Sequence, residues 1–400
     1  MAVRDGSAAP LSASGRADWL PFHLPSIGEE EIAEVVDTLR SGWVTTGAKT
    51  QRLEKEFAAR VGVPSALALS SGTAALHIAL RVCGVQPGDD VVVPTYTFTA
   101  TGEVVTYLGA RPILVDVDPN TCNVTAELLE RVLTPKTRAV MPVHIAGLPC
   151  DMDPIMTLAR ARGIAVVEDA AHALPTKYKG RMVGTIGDAT AFSFYATKNV
   201  TTGEGGALTV ADPARMDEAR ILALHGISRD AWKRYSSAGT WRYEVLESGY
   251  KYNLSDLASS LGIHQLQKLD GFHARRLALV KRYHEGFRDL AAVRVPAEMP
   301  GSEHAWHLYM LRLVPVALSI GRDQFIEELR ARNIGTSVHF IPLHLHPYYQ
   351  RAWGVRPGEF PGAEAAFANT VSLPLYPAMR DSDVDDVLEA VWDVARRYPR

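Results

Sequence analysis

The chain has 400 residues, 47% of them hydrophobic and 22% charged, which is enough apolar material to bury a substantial core. Its 42 lysines and arginines and 45 aspartates and glutamates leave a formal charge of -3, with no basic stripe and no polybasic patch. We therefore expect neither a nucleic-acid partner nor a membrane partner. Any anionic substrate must be bound by a local site.

Nothing near the N-terminus resembles a secretion signal. Residues 1–18 are small and polar and lack an apolar core, and no later apolar run reaches membrane-spanning length. The three cysteines, Cys83, Cys122 and Cys150, are odd in number, far apart and without a CxxC pair, which is typical of reduced thiols. We expect a cytoplasmic protein in which residues 1–20 form a flexible N-terminal tail.

Residues 60–210 alternate short β-branched runs with helical patterns, which is typical of parallel βαβ units. Several of these runs are apolar on both faces, as expected for strands that are covered by helices on each side. Strands are predicted over residues 65–70, 90–98, 111–117, 138–145, 164–170 and 189–194.

Helical patterns separate these strands, and residues at their ends predict caps. Thr125 is placed to cap the start of one helix, and Gly163 is placed to end another. Residues 254–290 predict long helices, and a smaller part follows, with strands at 307–313 and 336–340 and a last helix at 382–398. The prediction is an α/β fold: a large domain, residues 21–265, with a mostly parallel central sheet flanked by helices, and a smaller α+β domain, residues 266–400.

Ligands of open α/β sheets bind beyond the carboxyl ends of the strands, so the residues that follow each strand are candidates for a site. The sequence SSGTAAL, residues 70–76, follows the first strand and combines a glycine with the start of a helix, which suits a phosphate. A tight turn that is capped by Thr73 explains the same residues equally well.

A second candidate is Asp169, which ends the apolar run IAVVED. A carboxylate at the end of a buried strand needs a cationic or hydrogen-bonding partner, and a protonated pyridine nitrogen is one such partner. A helix cap or a structural ion pair is the alternative.

A third candidate is Lys198, four residues beyond the strand AFSF and before the sequence GEGG. A lysine among apolar neighbours has a lowered pKa and can attack a carbonyl as a neutral amine, whereas most lysines simply lie on the surface. Together, the glycine turn, Phe98, Asp169 and Lys198 supply a phosphate cradle, a ring platform, an anion and an amine. This combination indicates pyridoxal phosphate (PLP), with the Ser193 hydroxyl as a further phosphate ligand.

Eight motifs spread over residues 21–376 resemble one family. They read PSIGEEEI, SGWVTTG, SSGTAALHIAL, PGDDVVVPTYTFTAT, VEDAAHA, GDATAFSFYATKNVTTGEGG, GYKYNLSDLASSLGIHQL and SLPLYP. They are similar to the DegT/StrS family of nucleotide-sugar aminotransferases, which are fold-type I PLP enzymes. The resemblance implies that fold, PLP as the cofactor, a nucleotide sugar and an amino donor as substrates, and a homodimer with shared active sites.

The resemblance also implies roles for residues of this chain. Lys198 would form a Schiff base with PLP, Asp169 would hold the pyridine nitrogen, and Phe98 would stack on the ring. His172 would contact the ring hydroxyl. The phosphate would be held by Ser71, Gly72, Thr73 and Ser193, and by Asn253 of the neighbouring subunit.

Two positions depart from the pattern of many relatives. Glutamine often stands where this chain has His172, and the form DAAHA resembles the subgroup that aminates C4 of keto sugars. GYKYN replaces the commoner GYNYR, so Lys251 is an alternative to Asn253 for the contact with the neighbouring subunit. Lys198 is kept, whereas relatives that dehydrate sugars replace this lysine with histidine, so transamination is expected.

The expected reaction transfers an amino group, from L-glutamate by resemblance, to C4 of a keto-deoxy sugar. Amination at C3, an aminotransferase outside sugar metabolism, and a non-catalytic regulator or sensor of the same fold are the alternatives. A metal site at His339, His344 and His346 is not expected, because Pro342 and Pro347 break any regular helix there and no acidic residue stands beside them. This segment is expected to line the active site.

Overall fold

The computed structural model describes residues 16–228 and 243–400. Residues 1–15, most of the predicted tail, lie outside the described residues. The last residues of that tail are anchored: Arg16 forms ion pairs with Asp383 and Asp386, and Leu20 is only 2% exposed.

The helices and strands of the described residues alternate through the first half of the chain and are mixed in the second half. The helices are α1 (Glu29–Ser41), α2 (Ala48–Val61), α3 (Gly72–Val82), α4 (Thr99–Tyr107), α5 (Ala126–Val132), α6 (Met152–Arg162), α7 (Pro213–Leu222), α8 (Asp256–Phe287), α9 (Arg322–Arg330), α10 (Pro347–Trp353), α11 (Pro361–Asn369) and α12 (Asp381–Arg397). The strands are β1 (Leu67–Leu69), β2 (Asp90–Pro94), β3 (Arg111–Val115), β4 (Thr137–Val140), β5 (Ala165–Asp169), β6 (Lys177–Tyr178), β7 (Arg181–Met182), β8 (Ala189–Ser193), β9 (Gly206–Val210), β10 (Val293–Arg294), β11 (Tyr309–Leu313) and β12 (Thr370–Leu373).

The central sheet has the strand order β1-β9-β8-β5-β4-β2-β3 in the described part of the chain. The pairs from β8 to β3 are parallel, and β9 lies antiparallel between β1 and β8. The predicted α/β fold with a mostly parallel sheet is therefore confirmed. Strand β9 was not predicted, because it begins at Gly206, directly after the glycine-rich turn.

The caps predicted at Thr125 and Gly163 are confirmed, and one predicted strand is wrong. The Thr125 hydroxyl accepts a hydrogen bond from the Leu128 N–H at 3.3 Å, and Gly163 ends α6 with a φ of +65°. Residues 336–340 form only a single bridge, between Ser337 and Ser372. Ser337, His339 and Phe340 line a cavity instead, which the sequence pattern does not reveal.

The C-terminal part contains the antiparallel sheet β10-β11-β12, which packs with α8, α9 and α12 around a separate apolar core. Helix α8 is a single helix of 32 residues, and the proposed domain boundary after residue 265 lies within it. The three cysteines are buried and unbridged. No helix in the described ranges is both long and apolar enough to cross a membrane.

Candidate active site

A cavity of about 460 Å³ opens beside the carboxyl ends of β5 and β8. Asp169 is the last residue of β5 and Ser193 the last residue of β8, and these two strands are parallel neighbours. Most of the residues predicted from sequence line this one cavity, as expected for strand ends on the same edge of a sheet. They are Ser71, Gly72, Thr73, Phe98, Asp169, His172, Ser193 and Lys198.

One corner of the cavity is formed by the start of α3. The Ser71 hydroxyl caps this helix by accepting a hydrogen bond from the Ala74 N–H at 3.0 Å, so Ser71 is the cap and not Thr73. The first N–H groups of α3 have no partner within the helix. A side chain at Gly72 would bring its Cβ to 3.0 Å from the Cβ of Ser193, so glycine lets the helix start lie against the Ser193 end of β8. This corner suits an anion such as phosphate.

Asp169 is 5% exposed, and neutral donors hold both of its oxygens. The Thr101 hydroxyl donates to Oδ2 at 2.8 Å, and the Ala171 N–H donates to Oδ1 at 3.1 Å. Burial raises the pKa of Asp169, and these hydrogen bonds act in the opposite direction. No ion pair to Asp169 exists among the described residues, so a cationic ligand would complete its surroundings.

Lys198 lies in the loop between β8 and β9. Burial lowers the pKa of Lys198 to about 8, and the charge of Asp169 acts in the opposite direction. Of the described residues that line the cavity, Lys198 is the only lysine or arginine. The next residue anchors the loop: Asn199 Nδ2 donates to the carbonyl oxygens of Leu174 and Ala305, both at 2.9 Å.

Two buried histidines form a further wall of the cavity. The rings of His172 and His307 lie 4.4 Å apart, and burial together with the charge of Lys198 holds the pKa of each well below its ordinary value. His172 Nδ1 accepts a hydrogen bond from the Ala146 N–H at 3.2 Å. In the neutral ring the proton is therefore on Nε2, where it is available as a donor to a ligand.

Aromatic rings face the same space. Phe98 is 56% exposed, and its ring lies 5.9 Å from that of Phe340. Phe340 in turn stacks on His172 at 5.6 Å with an interplanar angle of 21°. An exposed phenyl ring in a cavity is suited to stacking on a flat ligand.

Residues 25–392 match the model of the DegT/DnrJ/EryC1/StrS aminotransferase family. The chain belongs to this family. The predicted family and the fold-type I architecture are thereby confirmed.

Three relatives illustrate the match. The spore coat polysaccharide biosynthesis protein SpsC of Bacillus subtilis is 50% identical over 382 residues, which is 95% of this chain and 98% of SpsC. Spr1654 of Streptococcus pneumoniae, assigned as a sugar aminotransferase and solved in a PLP form, is 38% identical with a TM-score of 0.88, over 95% of this chain and 99% of that one. The aminotransferase TlmJ of Streptoalloteichus hindustanus is 35% identical with a TM-score of 0.86, over 94% and 98% of the two chains.

The residues in the cavity of this aminotransferase fit PLP. The Gly72 and Ser193 corner supplies polar groups for a phosphate, and Asp169 presents a fixed carboxylate that lacks a cationic partner. Lys198 supplies a buried amine with a lowered pKa. The donor set therefore matches the phosphate, the ring nitrogen and the aldehyde of the cofactor.

One predicted site residue, Asn253, does not line this cavity. Its Nδ2 donates to Thr46 Oγ1 at 2.6 Å, and its Oδ1 accepts from Lys251 Nζ at 2.6 Å. It borders a second cavity of about 200 Å³ instead. Its contact with a neighbouring subunit, or that of Lys251, stays a prediction.

The three histidines His339, His344 and His346 have different hydrogen-bond partners. His339 lines the cavity, and its Nδ1 lies 2.9 Å from Ser372 Oγ. His344 Nε2 lies 2.9 Å from Glu364 Oε1, so an acidic residue does stand beside it, contrary to the sequence analysis. The described ranges contain no group of three or more potential ligands that is arranged to hold a metal ion.

Several residues that line the cavity or support the residues that line it were not identified from the sequence. Thr101 is the last residue of the motif PGDDVVVPTYTFTAT. It could have been predicted, because a buried carboxylate such as that of Asp169 needs hydrogen-bond donors. Asn199, next to Lys198, anchors its loop through carbonyls that are distant in sequence. His23 and His307 reach the cavity only through the tertiary fold, and no local pattern marks them.

Proposed function

We propose that this enzyme transfers an amino group from L-glutamate to C4 of a nucleotide-linked keto-deoxy sugar. Family membership and the PLP-form neighbour confirm the predicted enzyme class and cofactor: the chain is a PLP-dependent sugar aminotransferase. The amino donor, the nucleotide and the carbon that is aminated are the proposal.

The observation that supports amino transfer at this site is the combination of Lys198 and Asp169 in one cavity. A buried amine with a pKa of about 8 and a buried carboxylate fixed by two neutral donors act on each other electrostatically. A structural lysine would be paired or on the surface, whereas perturbed groups that converge in a cavity are typical of a catalytic site.

When bound, PLP supplies an electron sink for the negative charge that develops at the α-carbon of the donor. Asp169, held by Thr101 and by the Ala171 N–H, would keep the ring nitrogen protonated so that this charge could be drawn away. His172 would donate from Nε2 to the ring hydroxyl, and Phe98 would support the ring face.

Lys198 moves the protons. Near pH 8 a large fraction of Lys198 Nζ is neutral, so Nζ can take the proton from the α-carbon of the donor and deliver it to the cofactor. In the second half of the reaction Lys198 would move a proton in the opposite direction, onto the carbon of the sugar substrate that is aminated. Burial is what makes an ordinary lysine suitable for this work at moderate pH.

The C4 assignment rests on the motif DAAHA, which carries His172 where many relatives carry glutamine. Part of the cavity wall consists of aromatic rings and of imidazoles that are neutral at pH 7, because burial and the charge of Lys198 lower the pKa values of His172, His307 and His339. Such a lining favours a hydroxylated, uncharged ring at the reacting end of the substrate.

An activity screen tests this proposal. The purified enzyme is incubated with L-glutamate and with dTDP- or UDP-linked 3-keto and 4-keto sugars, and NMR identifies the aminated carbon. We expect a 4-amino sugar and 2-oxoglutarate. A 3-amino product would assign C3 instead. Turnover between two amino acids with no sugar product would place the enzyme outside sugar metabolism, and no turnover of any kind would favour a regulator or sensor.

The proposal includes a cytoplasmic homodimer in which Asn253 or Lys251 completes the site of the neighbouring subunit. Light scattering gives the oligomeric state. Mixing inactive Lys198→Ala with inactive Asn253→Ala protein under conditions of subunit exchange should restore activity, because one site of each hybrid carries neither change. An active monomer would contradict the shared site. So would a mixture that stays inactive although the Asn253→Ala protein is inactive by itself.

A further inference from the structure

The N-terminal segment of residues 16–28, which we call the strap, is fixed at its first end to the C-terminal part of the chain. Arg16 NH1 lies 2.7 Å from Asp383 Oδ1 and 2.5 Å from Asp386 Oδ2, both on α12. The Leu20 N–H donates to Asn333 O at 2.8 Å. This end is therefore held by two ion pairs and by backbone pairing.

The second end of the strap is fixed to the long helix α8. Gln265 Nε2 donates to Ser26 O at 2.7 Å, and the Gly28 N–H donates to Glu31 Oε2 at 2.8 Å. Glu31 is in turn paired with Lys268 at 2.7 Å. The strap thus spans from α12 to α8 with both ends anchored.

The middle of the strap forms part of the cavity wall. Phe22 and His23 both line the cavity. The Phe22 ring stacks on His339 at 5.4 Å with an interplanar angle of 29°, and His23 meets the edge of Tyr376 at 5.9 Å. His339 also contacts Phe340 at 5.2 Å, so a series of rings connects the strap to the predicted PLP contacts.

The composition of the strap limits what it can recognise. Residues 19–28 read WLPFHLPSIG and contain no lysine, arginine, aspartate or glutamate. Burial, assisted by the charges of Arg276 and Lys198, lowers the pKa of His23 to about 4, so this imidazole is neutral at pH 7. A dicarboxylate donor needs cations, whereas apolar and neutral polar groups suit a deoxy-sugar ring.

Local sequence also pre-orders the strap. Pro21 and Pro25 flank the two cavity residues and fix their own φ angles, which lowers the entropy cost of holding the segment in place. A Cβ at Gly335 would lie 2.7 Å from Leu20 O, so the close approach of the two backbones requires glycine at that position.

We infer that Phe22 and His23 are specificity-determining contacts for the acceptor sugar, which the anchored strap holds against the cavity. This inference rests on the proposed function, because it assigns the strap to one of the two substrates. The reaction with the amino donor is therefore expected not to depend on the strap.

The two half-reactions separate the roles. For Phe22→Ala and His23→Phe we expect the KM for the keto sugar to rise about tenfold, equivalent to the loss of about 1.4 kcal/mol of binding free energy. The rate and extent of the absorbance change that L-glutamate alone produces in the PLP-loaded enzyme should stay within twofold of wild type. Arg16→Ala should raise the sugar KM in the same direction, because it frees one anchor without touching the cavity.

Two control variants match these changes. Trp19→Ala alters a strap side chain that is 51% exposed and does not line the cavity, and Arg282→Ala removes an ion pair to Asp385 on the same helix α12. Both should keep the wild-type sugar KM. If the wild type is active, an unchanged sugar KM in Phe22→Ala and His23→Phe would overturn the strap assignment. Equal losses in the reactions with L-glutamate and with the keto sugar would overturn it as well. A wild type inactive on every keto sugar would overturn the proposed function itself.

Discussion

The hydroxyl of Thr101 donates a hydrogen bond of 2.8 Å to Asp169 Oδ2, and Thr97 Oγ1 lies 2.7 Å from the same hydroxyl. All three residues are buried. The start of α4 therefore holds a carboxylate that β5 delivers to the cavity. This contact explains how a buried anion is kept oriented before any cationic ligand binds.

Replacement of Thr101 tests this contact. Thr101→Val keeps the shape of the side chain but removes the donor, so Asp169 Oδ2 loses its partner and the pKa of Asp169 rises further. We expect kcat to fall about tenfold, the equivalent of one lost hydrogen bond to a charged group. Steady-state kinetics and the pH dependence of the cofactor absorbance measure the effect. Thr101→Ser keeps the hydroxyl and should retain most of the activity; equal losses in both variants would contradict the role of the hydrogen bond.

Gly72 allows a test of the phosphate corner. An alanine there would place its Cβ 3.0 Å from that of Ser193, which forces α3 and β8 apart. We expect Gly72→Ala to weaken PLP binding about tenfold or more, as measured by fluorescence titration of the apoenzyme. The matched control is Gly271→Ala in α8, where a Cβ meets no atom within 4 Å. That change should leave PLP affinity unchanged and stabilise the helix by up to about 1 kcal/mol.

Asn199 couples the lysine loop to the rest of the fold. Its Nδ2 donates to two buried carbonyl oxygens at 2.9 Å, and Asn199→Ala would leave both without this donor. We expect the free energy of unfolding to fall by about 2 kcal/mol and kcat to fall with it, because Lys198 is the preceding residue. Denaturant unfolding and kinetics measure both quantities. Asn369→Ala removes an exposed side-chain hydrogen bond and should cost no more than about 0.5 kcal/mol.

A buried histidine, His77, is expected to destabilise the protein in acid. Burial lowers the pKa of His77 to about 4, below the value of about 6.5 in an unfolded chain. As the pH falls below 6.5 the unfolded chain takes up this proton first, so stability is lost between about pH 6.5 and pH 4. His77→Phe should reduce this loss by up to about 1.4 kcal/mol per pH unit.

Urea unfolding at pH 7.5 and pH 5 measures the histidine effect. The control is His225→Asn, at an exposed position with a φ of +57° that asparagine tolerates. It should show the wild-type difference between the two pH values. If His77→Phe loses as much free energy of unfolding as the wild type between pH 7.5 and pH 5, His77 does not contribute to acid destabilisation.

The sequence was most informative where one residue carries a strong local constraint. Asp169, Ser193 and Lys198 stand at or just after the ends of buried apolar runs. A charged group or a hydroxyl at such a position needs a hydrogen-bonding or ionic partner. Ser71 and Thr73 are both suitable caps two positions apart, so sequence alone did not show that Ser71 caps α3. Residues 336–340 have a strand-like pattern, and local sequence did not show that they line a cavity rather than pair along the small sheet.

Contacts between distant segments were beyond local patterns. Phe22 and His23 enter the cavity because Arg16 and Ser26 anchor the strap to two different helices. No periodicity or cap links residue 23 to residue 376, and the pairing arises only when the C-terminal part packs on the sheet. Such side chains become visible as site residues only in the folded chain.

Covalent trapping of the cofactor tests the central claim most directly. The purified protein is loaded with PLP and reduced with borohydride, and peptide mass spectrometry then locates the fixed cofactor. We predict that the added mass lies on Lys198, and that Lys198→Ala shows neither this mass nor sugar amination. Cofactor fixed at another residue, or wild-type amination by Lys198→Ala, would contradict the account.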